Sequence, residues 1–462
     1  MSSLISESRS SSRTRYRNVL HIALPLIISN GALTVMQFCD RMFLARYSSV
    51  SIQAALPAGI LSFTFICIFA ATAGYAGTFV AHHHGAGERR QCVRVTTQGL
   101  WLALASAPLL LMLIPVGGWL MSVIGHAPAV MAEERIYFGW MMKGGFLIPF
   151  GAAIGGYFTG QSRMRLNMLA NIAGALVNVI LDYVMIFGKW GFPRMGIEGG
   201  AIATVAAATV APLIQLGFFL REPVVREMGA RTVWRFEAAL VRRIVRFGLP
   251  AGLHLMADVA AFAAFVMLTG RMDAVSLAAS NIALSINWLV VCPLMGISAA
   301  AAILTGQHQG RRDADAAAQA GWDTLKLAWG YMAAMVFVFI LGSNFFFRLF
   351  YAENPDFSLS QLQAFGFKMM IAMSIWGLFD TVTIVLTGAL RGAGDTRFVF
   401  LYMLIMGWGF WIPGEVIIFY RGGGILHAWY WMAAYVAILS FGFLWRWQRG
   451  KWRTINLLKS SV

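Results

Sequence analysis

Apolar residues run along this chain in stretches of about twenty or more, and polar residues collect between the stretches rather than within them. A helix rises about 1.5 Å per residue, so each stretch is long enough to cross a hydrocarbon core of roughly 30 Å. Twelve spanning helices are predicted, over 18–44, 52–80, 93–120, 134–160, 166–188, 197–220, 244–269, 277–306, 319–347, 361–389, 398–420 and 425–446. The connections are short and rich in Gly, Arg, Asp and Pro, and they leave no room for a soluble domain of any size. The predicted fold class is an all-α integral membrane protein.

Composition supports this, with 59% hydrophobic and only 12% charged residues, against roughly 25% charged in soluble domains. The first 17 residues are polar and basic, and the apolar run after them contains Pro25 and lacks a small-residue cleavage site. A retained first helix is therefore expected rather than a removed signal peptide. With the amino terminus inside, 25 of the Lys and Arg residues fall in inside segments and 8 in outside segments, leaving Lys143, Lys326 and Lys368 within spans. Positive segments stay cytoplasmic, so both termini are expected there. The net charge of +16 then faces the anionic inner leaflet and calls for no nucleic acid.

Sliding the chain by 225 residues lays Pro25 on Pro250, Arg46 on Arg271, Val50 on Val275 and Ser51 on Ser276, and AHHHGAGE at 81 on GQHQGRRD at 306. Further on, FTGQSRMR at 158 meets LRGAGDTR at 390, an offset of 232, from which helix 10 is expected to be about two turns longer than helix 4. Two pseudo-symmetric six-helix lobes follow, 18–220 and 244–446, with a basic cytoplasmic linker at 221–243 and basic tails at 1–17 and 447–462. Six is an even number, so the repeats run parallel, an arrangement that places a substrate path between the halves.

Four acids lie deep within apolar spans, namely Asp40, Asp182, Asp258 and Asp380. Each costs roughly 2.5–3.5 kcal/mol on insertion scales, on the order of 10 kcal/mol together if unpaired. A packing role would not retain them. Asp258 and Asp380 are 12 and 11 residues from Arg246 and Arg391, near mid-membrane, while Asp40 and Asp182 belong to the outer part of the first half. Asn178 is one turn before Asp182 on the same helix face and can offer a carbonyl oxygen, and Thr204 offers a hydroxyl. Asp380 could instead be a structural partner for Lys368. Asp323 and Glu415 lie nearer span ends and read as solvated interface, and His82 to His84 read as a wet loop at the end of helix 2. The four cysteines show no CxxC spacing and read as packing residues, with no metal site expected.

GALRGAGDTR at 388, preceded by FD at 379, together with NVILDYVMIFG at 178, ALPLIISN at 23 and FCDRMFLAR at 38, resembles the signatures of the multidrug and toxic compound extrusion (MATE) family of the MOP superfamily. The resemblance spans about 18–448. It implies a secondary antiporter of a bacterial inner membrane that exports organic cations or drugs in exchange for Na⁺ or H⁺, needing no cofactor and expected to act as a monomer. It also implies that Asp40, Asn178, Asp182 and Thr204 hold the coupling ion. Asp258 and Asp380 fall where family members carry a second acidic cluster, but Asp258 stands in place of a longer Glu and Trp376 in place of a Tyr ligand. These acids, with Trp376 and Trp288, could instead meet a cationic aromatic substrate. Arg391, Gly392, Gly394, Asp395, Thr396 and Arg397 read as a tight cytoplasmic turn with Asp395 or Thr396 capping the next helix; a P-loop would need a preceding strand and a Lys.

Two other functions compete. A flippase for lipid-linked oligosaccharides, from the same superfamily, would need a cavity richer in Arg and Lys than Lys143, Lys326 and Lys368 supply. A membrane-embedded enzyme would need a nucleophile and base or a metal set, and neither GxSxG nor HExxH occurs.

Overall fold

The computed structural model describes residues 12–269, 274–351 and 357–458. Arg271, one of the residues matched in the repeat, lies outside them. Among the described residues the secondary structure is helical, and eleven helices are long and apolar enough to cross a membrane. The twelfth span is present in two pieces. We number the spans α1 (Ser12–Tyr47), α2 (Ser49–Gly74, carried on by Ala76–Gly85), α3 (Arg89–Met112, then Ile114–Ile124), α4 (Pro128–Gly144 and Leu147–Gly160), α5 (Met164–Phe187) and α6 (Ile197–Arg221). The second set is α7 (Ala238–Thr269), α8 (Ala274–Gly310), α9 (Ala314–Phe350), α10 (Leu359–Gly392), α11 (Thr396–Met406, a π-turn over Gly407–Trp411, then Ile412–Tyr420) and α12 (Ile425–Arg449). Gly145 and Phe146 keep right-handed helical angles, so α4 continues through its break as one span.

The predicted extra length of helix 10 is not found. The first piece of α4 starts at Pro128 and the last ends at Gly160, which matches α10, Leu359–Gly392, within one residue. The offset changes instead in the preceding connection, residues 125–127 in the first half and 351–358 in the second. A loop accepts an insertion at small entropic cost, whereas two extra turns would carry a helix out of the bilayer.

The repeat is visible in the packing. Glycines let α2 and α4 touch backbone to backbone: a Cβ at Gly156 would lie 2.9 Å from the Gly77 Cα, and one at Gly160 would lie 2.7 Å from the Gly77 carbonyl oxygen. The matching positions in the second half do the same for α8 and α10. A Cβ at Gly388 would lie 2.5 Å from the Ser298 carbonyl oxygen, and one at Gly392 would overlap the Ala302 carbonyl. Such close approach is how membrane helices gain dispersion energy where lipid supplies no hydrophobic drive.

The chain divides into two compact units. Of the described residues, the amino-terminal unit takes 28–256, 310–312 and 457–458. Its core joins Tyr75, Phe79, Tyr157, Phe158 and Phe219, with the Phe79 ring 6.0 Å from Phe247 of α7. The carboxy-terminal unit takes 12–27, 257–269, 274–309, 313–351 and 357–456. Both unit boundaries that matter for the site fall inside helices, at 27/28 in α1 and 256/257 in α7. The half of α1 in the second unit is held there by Arg15, whose Nε donates to Asp323 Oδ2 at 2.6 Å.

Candidate ion site and acidic clusters

Three helix ends converge in the amino-terminal unit. Gly188 ends α5 in the left-handed region at φ 65°, and Gly196 at φ 56° leads into α6. A Cβ at Gly196 would lie 2.5 Å from the ring of Tyr47, the last residue of α1, and Arg194 stacks over the same ring at 4.7 Å. This junction fixes α1, α5 and α6 next to one another, with Asp40, Asn178, Asp182 and Thr204 facing inward.

The structure brings these residues together. The Asp40 and Asp182 carboxyl groups lie within electrostatic reach of each other. With the Asn178 amide oriented by its neighbours, its nitrogen lies 2.7 Å from Asp40 Oδ1 and 3.1 Å from Asp182 Oδ2. Asn178 therefore presents its amine to the acids here, and a half-turn of the amide would present the carbonyl to a cation. Asn178 and Asp182 are fully buried, and Asp182 Oδ1 has no hydrogen-bond partner. Thr204 Oγ1 donates to the Gly200 carbonyl at 2.9 Å, and the hydroxyl of Tyr137 lies beside it, within electrostatic reach of both acids. Tyr137, on α4, belongs to the site and was not anticipated. Its only signal is a position on the α4 face that carries Gly144 against α6, since Tyr in an apolar run is otherwise unremarkable.

The second cluster is in the carboxy-terminal unit. Asp258 on α7 and Asp380 on α10 lie within electrostatic reach of each other and of the Tyr435 hydroxyl on α12. Neither acid has a hydrogen-bond or ion-pair partner among the described residues. Lys368 is exposed and forms no ion pair there, which removes it as a structural partner for Asp380. Trp376 packs edge-on against Trp429 at 5.9 Å, and Tyr435 stacks on Trp411 at 5.2 Å with the rings 7° from parallel. Trp288, by contrast, is 62% exposed and makes none of the ring contacts that join the cluster.

Three expectations are corrected. Asp395 does not cap α11, and Thr396 Oγ1 is buried without a partner; Asp395 instead binds Arg446 of α12, because a buried carboxylate gains more from a guanidinium than from a helix end. The rest of that motif forms the turn expected, with Gly394 at φ 94° and Gly392 supplying the close approach to α8, between Arg391 and Arg397. Asp323 and Glu415 are not solvated: they are 2% and 3% exposed, Asp323 held by Arg15 and Gln319, and Glu415 by Trp411 Nε1 at 3.0 Å. His82 and His83 are buried in the last turns of α2, with His83 Nδ1 2.7 Å from Glu88 Oε2. For Asp323 and His83 the helices and their packing extend beyond where hydropathy falls, whereas Glu415 lies inside the expected span and is buried against Trp411. Among the described residues no three His, Cys, Asp or Glu side chains converge on a metal-sized space, and the four cysteines are free.

The fold and site define a multi-pass membrane protein with a duplicated six-helix design. A family model described as MatE matches the chain twice, over 25–184 and 250–417, at the register of the internal repeat. The chain belongs to the MatE family. It is 27% identical over 451 residues to "Probable multidrug resistance protein NorM" of Mesorhizobium japonicum, covering 95% of this chain and 94% of that one. It is 26% identical over 404 residues to "Multidrug resistance protein MdtK" of Edwardsiella ictaluri, covering 86% of each. Among solved structures, a MOP superfamily transporter from Pyrococcus furiosus superposes with a TM-score of 0.83 at 18% identity, covering 96% of this chain and 97% of that one. An outward-facing multidrug resistance MATE family transporter superposes with a TM-score of 0.84, also at 18% identity, over 96% and 97% of the two chains. These structures support the twelve-helix, two-lobe fold.

Proposed function

We propose that this protein is a secondary antiporter that exports drug-like organic cations in exchange for Na⁺ or H⁺, in a bacterial inner membrane with both termini cytoplasmic. The observation that carries the reading is the Asp40–Asn178–Asp182 constellation, in which Asn178 and Asp182 are fully buried and one carboxylate oxygen of Asp182 has no partner. A purely structural pair would saturate that oxygen, because an orphaned buried acceptor costs about 1–3 kcal/mol. An exchangeable ion explains it: when the cation arrives, the proton leaves or the amide turns. The names of the NorM and MdtK relatives support drug efflux as the activity. Asp258 and Asp380, without partners and bordered by Trp376 and Tyr435, suit a cationic aromatic substrate.

The driving force suffices. A potential of about 150 mV on one ion supplies roughly 3.5 kcal/mol, enough for a substrate gradient of several hundredfold. The test is efflux of a cationic dye from proteoliposomes, with Na⁺ and pH gradients imposed separately. Asp182→Asn keeps the side-chain size and removes only the charge and the titratable proton, so it should abolish gradient-driven efflux while equilibrium dye binding persists. Normal pumping by Asp182→Asn, with coupling lost in Asp380→Asn, would transfer the ion site to the second unit.

A further inference from the structure

Below the acid pair, α5 carries more amides on the same face. Asn167, Asn171, Asn178 and Asp182 are spaced by four, seven and four residues, which keeps all of them within about 80° of the helix circumference. The lower members form their own polar group. Asn167, 6% exposed, donates through Nδ2 to the Gly155 carbonyl at 3.0 Å and accepts at Oδ1 from Gln215 Nε2 at 3.1 Å. Asn171 Nδ2 donates to Ser29 Oγ of α1 at 2.7 Å. Gln215 of α6 is 3% exposed, and its Oε1 has no hydrogen-bond partner. The site is kept open at Gly155, where a Cβ would lie 3.3 Å from Asn167 Nδ2 and 3.6 Å from Gln215 Oε1.

Between the two polar groups the seam is lined by small residues. A Cβ at Gly174 would meet the Ala207 carbonyl oxygen at 3.5 Å and Ala211 at 3.9 Å, ordinary contact distances, so the glycine leaves room for a group the size of a methyl within the roughly 10 Å that separate Asn171 from Asn178. The charged group is thus at the outer end of the seam. A neutral group lies at the end next to Arg163 and Arg165, which the distribution of basic residues marks as cytoplasmic.

We propose that Asn167 and Gln215, with the Gly155 carbonyl, form a second station that binds a small monovalent cation, Na⁺ or hydronium, between Asp182 and the cytoplasm. The proposal rests on the acid pair being the coupling site. Three neutral oxygens, one of them unpartnered, can replace part of a hydration shell without holding the ion tightly. That suits a step the ion must leave quickly, since conduction needs binding weak enough for release. The orphaned Gln215 oxygen is the ligand position a cation or its water would fill, and Asn171 with Ser29 lies on the route toward Asp182.

The experiment uses the full chain in proteoliposomes, with ethidium as the transported probe and Na⁺ and pH gradients imposed in separate arms. Gln215→Leu should slow efflux about tenfold, the size of one lost contact to a charged group, in the same arm that drives the wild type. Ethidium binding in detergent should be unchanged, and the melting temperature should fall only by the loss of the buried hydrogen bond to Asn167 Oδ1. Gln215→Glu should hold the ion, lowering both turnover and the external ion concentration at half-saturation. If Gln215→Leu does not fold, Gly155→Ala, whose methyl would lie 3.3 Å from Asn167 Nδ2 and 3.6 Å from Gln215 Oε1, reads the same quantity. Wild-type efflux in Gln215→Leu or Gly155→Ala overturns the station, as does a loss of efflux matched by an equal loss of ethidium binding and stability. Asp182→Asn separates the two ideas: normal efflux there would remove the coupling site itself, whereas abolished efflux beside an unaffected Gln215→Leu removes only the station.

Discussion

Arg446 on α12 holds Asp395 at the foot of α11 with two hydrogen bonds, Nε to Oδ2 at 2.7 Å and Nη2 to Oδ1 at 3.1 Å, and its guanidinium lies 4.5 Å from the centre of the Phe398 ring. Asp395 is 5% exposed, so truncating either partner strands a buried charge, at a cost of about 3–5 kcal/mol. Asp395→Ala should lower the melting temperature in detergent steeply. Arg446→Lys keeps the charge but loses the fork and the ring contact, and should fall between. An Asp395→Ala protein that melts with the wild type would show that the pair contributes nothing to the fold.

The close helix approaches make a paired prediction. Gly160→Ala and Gly392→Ala each drive a methyl into a backbone carbonyl, of Gly77 and of Ala302, and neither carbonyl can move without shifting a helix. Overpacking of this kind costs typically 1–3 kcal/mol or more. Gly31→Ala in α1 meets nothing within 4 Å and should be silent or slightly stabilising. Folded yield and detergent melting curves check all three, and the equivalence of the first two tests whether the halves are built alike.

Much of this was legible in the sequence because burial of charge in lipid has few solutions. Asp40, Asn178 and Asp182 could be grouped since acids within apolar runs must find partners, and the one-turn spacing of Asn178 and Asp182 fixes their common face. Tyr137 was not legible, because an aromatic hydroxyl in a membrane run is cheap and its role depends on which helix α4 packs against. Asp323 and His83 were misplaced for one reason: hydropathy marks where a span leaves lipid, whereas each helix continues one or two turns further and buries those residues against protein; Glu415 lies inside the expected span, and its burial rests on the Trp411 indole one turn away. Trp288 fails differently, since helical spacing cannot tell which face of α8 meets Asp380.

Charge selectivity should reside in the second cluster. Asp380→Asn removes one of two unpartnered acids beside Trp376 and Tyr435. Binding of a monovalent cationic dye in detergent should weaken by about tenfold, the effect of one lost charge contact, with little change for a neutral analogue of the same shape. Equal weakening of both ligands would mean that Asp380 shapes the unit without meeting substrate charge.

A hydrogen bond from the Tyr137 phenol to Thr204 gives the sharpest test of the proposed ion site. Thr204 Oγ1 already donates to the Gly200 carbonyl at 2.9 Å, so toward Tyr137 it acts as acceptor and the phenol as donor. Tyr137 holds the hydroxyl oxygen in place beside Asp40 and Asp182, and removing either partner releases it. Tyr137→Phe and Thr204→Val should each raise the ion concentration for half-maximal efflux by about two- to tenfold, the range expected for one hydrogen bond. Because both changes break the same bond, the double variant should be no worse than the more severe single one, a coupling that a double-mutant cycle reads directly. Additive effects would mean that the phenol and the threonine act on the ion independently, and that the bond between them does not organise the site.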